Sequence, residues 1–193
     1  RDSFALIALS ITLACKTVAM DKKLERSNKE KIMRQLAKHL ASAGYRRSKP
    51  SFFTRPSLPI IEFVHIHKFT FEPSFRIHIG VRVVNDPFSA IALNGPSSDA
   101  YRGQHSPAGV HYNFRYHDDQ DSVDRCARNI AEFVFAVAEP WFQSCRNRGV
   151  LTSSTESPLS EEARIALARA LAGDCEAHYV AKTQEIGRAS CRE

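Results

Sequence analysis

Alternation of apolar and polar residues is strongest in two adjacent segments, residues 60–70 and 75–84. A period of two is typical of a strand that buries one face. The link between the segments is short and contains a proline, so it predicts a hairpin in which Thr70 pairs with Phe75. A shift of one residue would mix the two faces, so the pattern favours this pairing. The predicted pairs are Ile66–Ile79 and Val64–Val81 on the apolar face, and His67–His78, His65–Gly80, Phe69–Arg76 and Phe63–Arg82 on the polar face.

Three further segments bring the expected sheet to about five strands. Residues 51–55 precede the hairpin, and residues 88–93 lie between two turn signals that contain proline. Residues 110–116 alternate again, with apolar residues at the even positions and His, Asn or Arg at the odd ones. This alternation predicts a strand with one solvated face.

Apolar residues recur every three to four positions in three other segments, which predicts helices. The helices are expected at residues 24–43, from Asp121 or Ser122 to Pro140, and at residues 160–173. The order predicts an α+β fold. Its parts are an N-terminal helix, an antiparallel sheet of about five strands, a helix packed on one sheet face and an extra C-terminal helix.

Both ends of the chain are expected to lie outside the folded domain. Residues 1–19 include an apolar stretch and are interpreted either as translated upstream sequence or as a secretory signal. Residues 185–193 resemble the translation of a sequencing adapter. Composition therefore predicts one α+β domain at residues 20–149, a Ser/Thr-containing linker at 150–158 and a helical extension at 159–184.

Positive charge is concentrated near the start of the chain. The net charge is +6, from 27 basic and 21 acidic residues. Such asymmetry is typical of an anionic partner, and a solvated basic helix is the alternative. The side chains available for non-specific contacts with phosphate groups are those of Lys22, Lys23, Arg26, Lys29 and Lys31. No nucleic-acid-binding motif accompanies these residues, so nucleic acid is not an expected partner. A membrane is not expected either, because the early apolar stretch is too short to span a bilayer.

Enzymatic motifs are scarce. The sequence contains no nucleophile elbow, phosphate loop, H-E-x-x-H zinc motif or dinucleotide-binding glycine motif. Cys126, Cys145 and Cys175 match no disulfide or zinc spacing and are predicted to be buried or free thiols. These features favour a cytoplasmic protein without enzymatic activity; secretion is the alternative if residues 1–19 are a signal peptide.

Three motifs resemble one known family. They are AGYRR at residues 43–47, SFFTR at residues 51–55 and FRIHIGV at residues 75–81. Over roughly residues 30–145 the chain resembles the bacterial domain-of-unknown-function family 4304. The resemblance implies a leading helix followed by antiparallel strands. It implies no established activity and no catalytic residue.

Three histidines form the strongest candidate for chemistry. His65 and His67 share one face of the predicted strand, and His78 is expected opposite. Such a set can bind zinc or another transition metal. A metal-dependent hydrolase that uses His65, His67 and His78 is therefore one hypothesis, with His111 or His117 as a further ligand. The alternative is that these histidines are simply tolerated beside aromatic residues on a solvated face.

The same polar face also gathers positive charge and aromatic surface. Its expected ligand-binding residues are Arg76, Arg82, Arg115, His78, Phe63 and Phe69. This mixture suits a small anion or an acidic protein surface. In the alternative interpretation, residues 94–107 cover the face, and Asp99 or backbone groups satisfy its arginines. We predict a small binding or interaction module without a cofactor, and the metal-dependent hydrolase is the alternative function.

Overall fold

The computed structural model describes residues 20–88 and 90–185. The predicted leader and nearly all of the predicted tail lie outside the described residues. The fold is α+β, as predicted, and the antiparallel sheet has the order β1-β2-β3-β4. In chain order the elements are α1 (Lys22–Ala41), β1 (Arg46–Lys49), β2 (Phe52–Ser57), β3 (Ile60–Lys68), β4 (Phe75–Val83), α2 (Gln120–Phe133), α3 (Glu139–Cys145), α4 (Arg148–Thr152), α5 (Glu161–Leu171) and α6 (Ala177–Glu185).

The first helix, α1, forms where the apolar period predicted it. Asp21 caps the helix by accepting a hydrogen bond from the Leu24 N–H, and Gly44 follows the helix with a φ of +84°. The inner face of α1 joins α2 and one face of the sheet in a shared apolar core. The helices therefore bury the face that carries Val64 and Ile79.

The predicted register of the β3–β4 hairpin is wrong by two residues. Val64 lies opposite Ile79, and His65 lies opposite His78. The cause is the turn: β3 already ends at Lys68, and residues 69–74 form a connection longer than the predicted link. A shift of two residues leaves every side chain on its predicted face. The apolar and polar faces were therefore predicted correctly, and the neighbours across the hairpin were not.

Two of the five predicted strands are absent from the described residues, and one strand was missed. Residues 88, 90–93 and 110–116 form no ladder, although the last of these segments makes an isolated bridge between Ser74 and Arg115. The missed strand is β1, which pairs with β2 around a register irregularity. Its sequence, RRSK, has no apolar residue and therefore no alternation to detect.

An irregular segment occupies the outer edge of β4 in place of a strand. The Asn94 side chain bonds both the N–H and the C=O of Val81, each at 3.0 Å. The Gly95 N–H donates to the Ile79 carbonyl, and the Ser98 hydroxyl accepts from the Ile77 N–H at 2.9 Å. These contacts satisfy an edge that would otherwise expose unpaired backbone groups.

The C-terminal helices pack on the domain. Leu167 of α5 is fully buried in the shared core. The Asn85 side chain donates to the Asp174 carbonyl and accepts from the Glu176 N–H. A π-helical turn at Val134–Ala138 joins α2 to α3, so the helix continues past the position where Pro140 was expected to end or kink it. Of the helices in residues 20–88 and 90–185, none is both long enough and apolar enough to cross a membrane.

Candidate functional site

One stripe of α1 changes from basic to apolar halfway along the helix. The stripe consists of Lys22, Arg26, Lys29, Met33, Leu36 and Leu40. These positions are four and three residues apart in turn, so they lie on one face of the helix. The last three side chains are fully buried in the core. The first three line a cavity instead.

This cavity, which we call the basic pocket, lies between the first half of α1 and the end of β3. Its volume is about 470 Å³. Backbone pairing between β2 and β3 ends nearby, where the Ile66 N–H donates to the Ser51 carbonyl at 2.8 Å. The lining residues are Lys22, Glu25, Arg26, Lys29, Ser51, His65, Ile66, His67, Lys68, Phe69 and Thr70.

The carboxylate of the basic pocket is already neutralised. Glu25 is buried and forms ion pairs with Lys68 and, at 3.2 Å, with Lys22. The hydrogen bond from Lys68 is the main reason why the pKa of Glu25 lies below its usual value. Glu25 therefore has no free charge with which to balance the other cations of the pocket.

Lys29 and Arg26 have no such partner. Within the described ranges, neither side chain makes a hydrogen bond or an ion pair. Lys29 is half-buried, and this burial, followed by the nearby charges of Lys68 and Arg47, lowers its pKa. Arg47 itself is bound to Glu30 at 2.8 and 2.9 Å. The charge of Glu30 acts on Lys29 in the opposite direction, but Glu30 is bound to Arg47. The pocket thus keeps two cationic side chains that have no hydrogen-bonded or ion-paired partner within the described residues.

The three predicted metal ligands do come together beside the pocket. Ring centroids are 6.2 Å apart for His65 and His67, 5.9 Å for His65 and His78, and 6.3 Å for His67 and His78. Among residues 20–88 and 90–185, however, no group of three His, Cys, Asp or Glu side chains is arranged to hold a metal ion. His111 packs against His105 instead. The geometry therefore gives the metal hypothesis no support.

Burial governs the charge of the histidine cluster. The His65 ring stacks on Phe52 with centroids 4.2 Å apart. Desolvation, followed by the neighbouring charges of His78 and His67, lowers the pKa of His65 to about 4. Burial also lowers the pKa of His78. Burial therefore favours the neutral forms of the His65 and His78 rings, and the permanent positive charge of the pocket comes from its Lys and Arg side chains.

The three arginines predicted to bind a ligand all have partners within the protein. Arg82 is buried and donates to the carbonyls of residues 86, 88 and 90, the last at 2.6 Å. Arg76 pairs with Asp99 at 2.7 Å, and Arg115 pairs with Glu72 at 2.6 Å. The partners of Arg76 and Arg82 are those of the alternative interpretation, Asp99 and backbone groups, whereas the partner of Arg115, Glu72, was not predicted.

The two predicted aromatic contacts are placed differently. Phe63 is fully buried, so it offers no surface to a ligand. Phe69 lines the basic pocket, and the guanidinium groups of Arg76 and Arg102 lie 4.9 and 5.1 Å from its ring centroid. On the predicted face, the end near Phe69, His65 and His67 adjoins the basic pocket. Arg115 lines a separate, smaller cavity of about 170 Å³.

A buried charge cluster went unnoticed in the sequence. Glu62 has no exposed surface, and its carboxylate accepts from Arg55 Nε and Arg146 Nε, each at 2.7 Å. Arg55 also pairs with Glu139 at 2.8 Å, and the Tyr45 hydroxyl donates to Glu139 at 2.7 Å. The cluster ties α3 to the sheet. One signal was available, because Glu62 falls on the apolar side of the β3 alternation.

No family model, curated protein or solved structure matches the chain. The resemblance to family 4304 stays a prediction that depends on the three sequence motifs.

Proposed function

We propose that this chain is a binding module that holds an anionic ligand in the basic pocket. One observation carries the proposal: among the described residues, Lys29 and Arg26 line the pocket without an ion-paired partner, while Glu25 is shared by Lys22 and Lys68. Like charges held together in a partly desolvated site repel one another. A bound anion would relieve this repulsion and supply the missing hydrogen-bond acceptors.

Binding without conversion agrees with the polar groups of the pocket. Its two hydroxyl groups belong to Ser51 and Thr70. Within the described residues, neither hydroxyl is bonded to a histidine or a carboxylate, the arrangement that activates a nucleophile. We therefore retain the anionic ligand predicted from the sequence. We place its binding site at the end of β3 beside α1 instead of at the arginines of the sheet face.

Calorimetric titration of the full chain with tripolyphosphate tests the proposal. We expect binding that weakens as salt increases, because the interaction is between charges at a partly open site. Lys29→Gln and Arg26→Gln should each weaken binding about ten-fold, since each removes a charge-assisted hydrogen bond.

Lys38→Gln is the matched control, because Lys38 lies on the same helix outside the pocket. Its affinity should equal that of the unsubstituted chain. Equal losses in Lys38→Gln and Lys29→Gln would show only a general response to net charge and would contradict the proposal. Absence of any tripolyphosphate binding would do so as well.

A thermal-unfolding measurement on the full chain tests the hydrolase alternative. Zinc, in place of tripolyphosphate, should leave the melting temperature unchanged, because the histidine cluster has no metal-binding arrangement. A rise with zinc that His67→Ala abolishes would favour the metal-dependent hydrolase instead.

A further inference from the structure

We infer that the anion held in the basic pocket is the phosphate of a membrane lipid, and that Phe71 inserts into the bilayer beside it. The inference rests on the proposed function, because it names the class of the bound anion. Two independent features support it: an exposed aromatic side chain at the tip of the β3–β4 hairpin, and the charge of the pocket next to that tip.

Phe71 is the exposed aromatic side chain. It is 99 % exposed, although it is one of the largest apolar residues in the chain. Within the described residues its ring makes no aromatic or cation–π contact. Phe69 and Thr70, which directly precede it, line the basic pocket. An apolar ring gains free energy when it leaves water, and this fold gives Phe71 nowhere to do so.

The hairpin tip is fixed, and its one carboxylate is neutralised. Glu72 accepts hydrogen bonds from the Ser74 hydroxyl and from Arg115, each at 2.6 Å. Lys68 Nζ donates to the Phe69 carbonyl at 2.7 Å. The acid beside Phe71 is therefore paired with a base, which reduces its repulsion of an anionic surface. Phe71 is held on an ordered turn rather than on a free loop.

Together the two features meet the requirement for stable attachment to a membrane surface. Apolar insertion or basic charge alone gives only weak binding, whereas both together hold a protein at an anionic bilayer. Lys22, at the start of α1, adds a largely exposed cation to the pocket. The sequence argued against a membrane only because it offered no spanning segment, and attachment at the surface requires none.

Vesicle sedimentation tests the inference on the full chain. We expect binding to vesicles of phosphatidylcholine mixed with phosphatidic acid, and none to phosphatidylcholine alone. Phe71→Ser should weaken binding about ten-fold, from the lost burial of the ring. Lys29→Gln should weaken it about five-fold, from the lost charge near the surface.

Leu58→Ser is the control. Leu58 is also highly exposed, at 77 %, and lies in the β2–β3 turn at the opposite end of β3. This variant should bind the vesicles as the unsubstituted chain does. The melting temperatures of Phe71→Ser and Leu58→Ser should both be unchanged, because neither side chain is packed in the fold.

Three outcomes would overturn the inference. Undiminished binding of Phe71→Ser would show attraction by charge alone, and equal losses in Phe71→Ser and Leu58→Ser would show a non-specific loss of apolar surface. Binding of tripolyphosphate without binding of either vesicle would assign the pocket to a soluble anion; the proposed function would then stand while the lipid inference fell. If neither tripolyphosphate nor vesicles bind, both fail.

Discussion

Replacement of Glu62 by glutamine should destabilise the protein more than replacement of an exposed glutamate in an ion pair. Glutamine keeps the size of the side chain but loses its charge and one acceptor oxygen. In the structure Oε1 accepts from Arg146 Nε, and Oε2 accepts from Arg55 Nε. Either orientation of a glutamine amide would set an NH₂ group against one of these guanidinium donors. The substitution therefore leaves one buried guanidinium group facing the NH₂ group of the glutamine instead of an acceptor oxygen.

The size of the effect follows from burial. Glu62 has no exposed surface, and removal of one partner from a buried ion pair costs about 3–5 kcal/mol. For a chain of this length, such a loss lowers the melting temperature by roughly 6–20 °C. Glu30 is the matched control: it pairs with Arg47 at 2.8 Å, but its side chain is 41 % exposed. Glu30→Gln should cost less than about 1 kcal/mol.

Equilibrium unfolding in urea measures both variants. The midpoint should fall clearly for Glu62→Gln and only slightly for Glu30→Gln, with the same slope for both. The double variant Glu62→Gln, Arg146→Gln should recover at least about 1 kcal/mol, because it also removes the stranded cation. Equal and small effects of the two single variants would refute the argument that the Glu62 cluster holds α3 on the sheet.

Two further predictions concern the polar face of the sheet. Because the pKa of His65 falls from 6.5 to about 4 on folding, the unfolded chain binds the proton more tightly. The free energy of unfolding should be highest above pH 6.5 and fall by up to about 3 kcal/mol towards pH 4; urea titrations at several pH values should show this slope reduced in His65→Gln. Gly80→Ala should lower the free energy of unfolding by about 1–3 kcal/mol in the same assay, because the new methyl group would clash with the Phe63 ring and lie 2.9 Å from Asn94 Oδ1. The free energy of unfolding should fall less for the control variant Gly149→Ala.

Alternation in the sequence was sufficient to predict the faces of the β3–β4 hairpin but not its register. Val64 and Ile79 point to the core whether the shift is zero or two residues, so the pattern cannot distinguish these pairings. The length of the turn makes the difference, and this depends on where β3 stops. Side-chain contacts around Ser74, which no alternation encodes, hold that turn.

The two predicted strands that did not form show that alternation does not determine strand pairing either. Tyr112, Phe114 and Tyr116 are buried, as the period of two predicted. A strand also needs a free partner edge, and residues 94–98 already occupy part of the outer edge of β4. Burial follows from the local sequence, whereas ladder formation depends on which segment reaches the edge.

The candidate site was predictable in part. The spacing of Lys22, Arg26 and Lys29 places them on the stripe that becomes apolar at Met33, so a basic patch on the buried side of α1 could be inferred from the sequence. The approach of Lys68, from a segment far along the chain, could not. The ion pair between Lys68 and Glu25 determines which cations of the pocket have no partner.

Charge satisfaction, rather than residue type, separates the structural cations from those available to a ligand. Arg82 looked like a ligand contact in the sequence, yet its guanidinium donates to three carbonyl groups and to the Thr183 hydroxyl of its own chain. Removal of Arg82 would leave those carbonyls unpaired and should therefore impair folding rather than binding. Lys29 presents the opposite case, since the fold brings it into a partly desolvated pocket and provides no acceptor for it. A cation held in this way weakens the fold unless an anion occupies the pocket, and for this reason we propose the basic pocket, and not the arginines of the sheet, as the binding site.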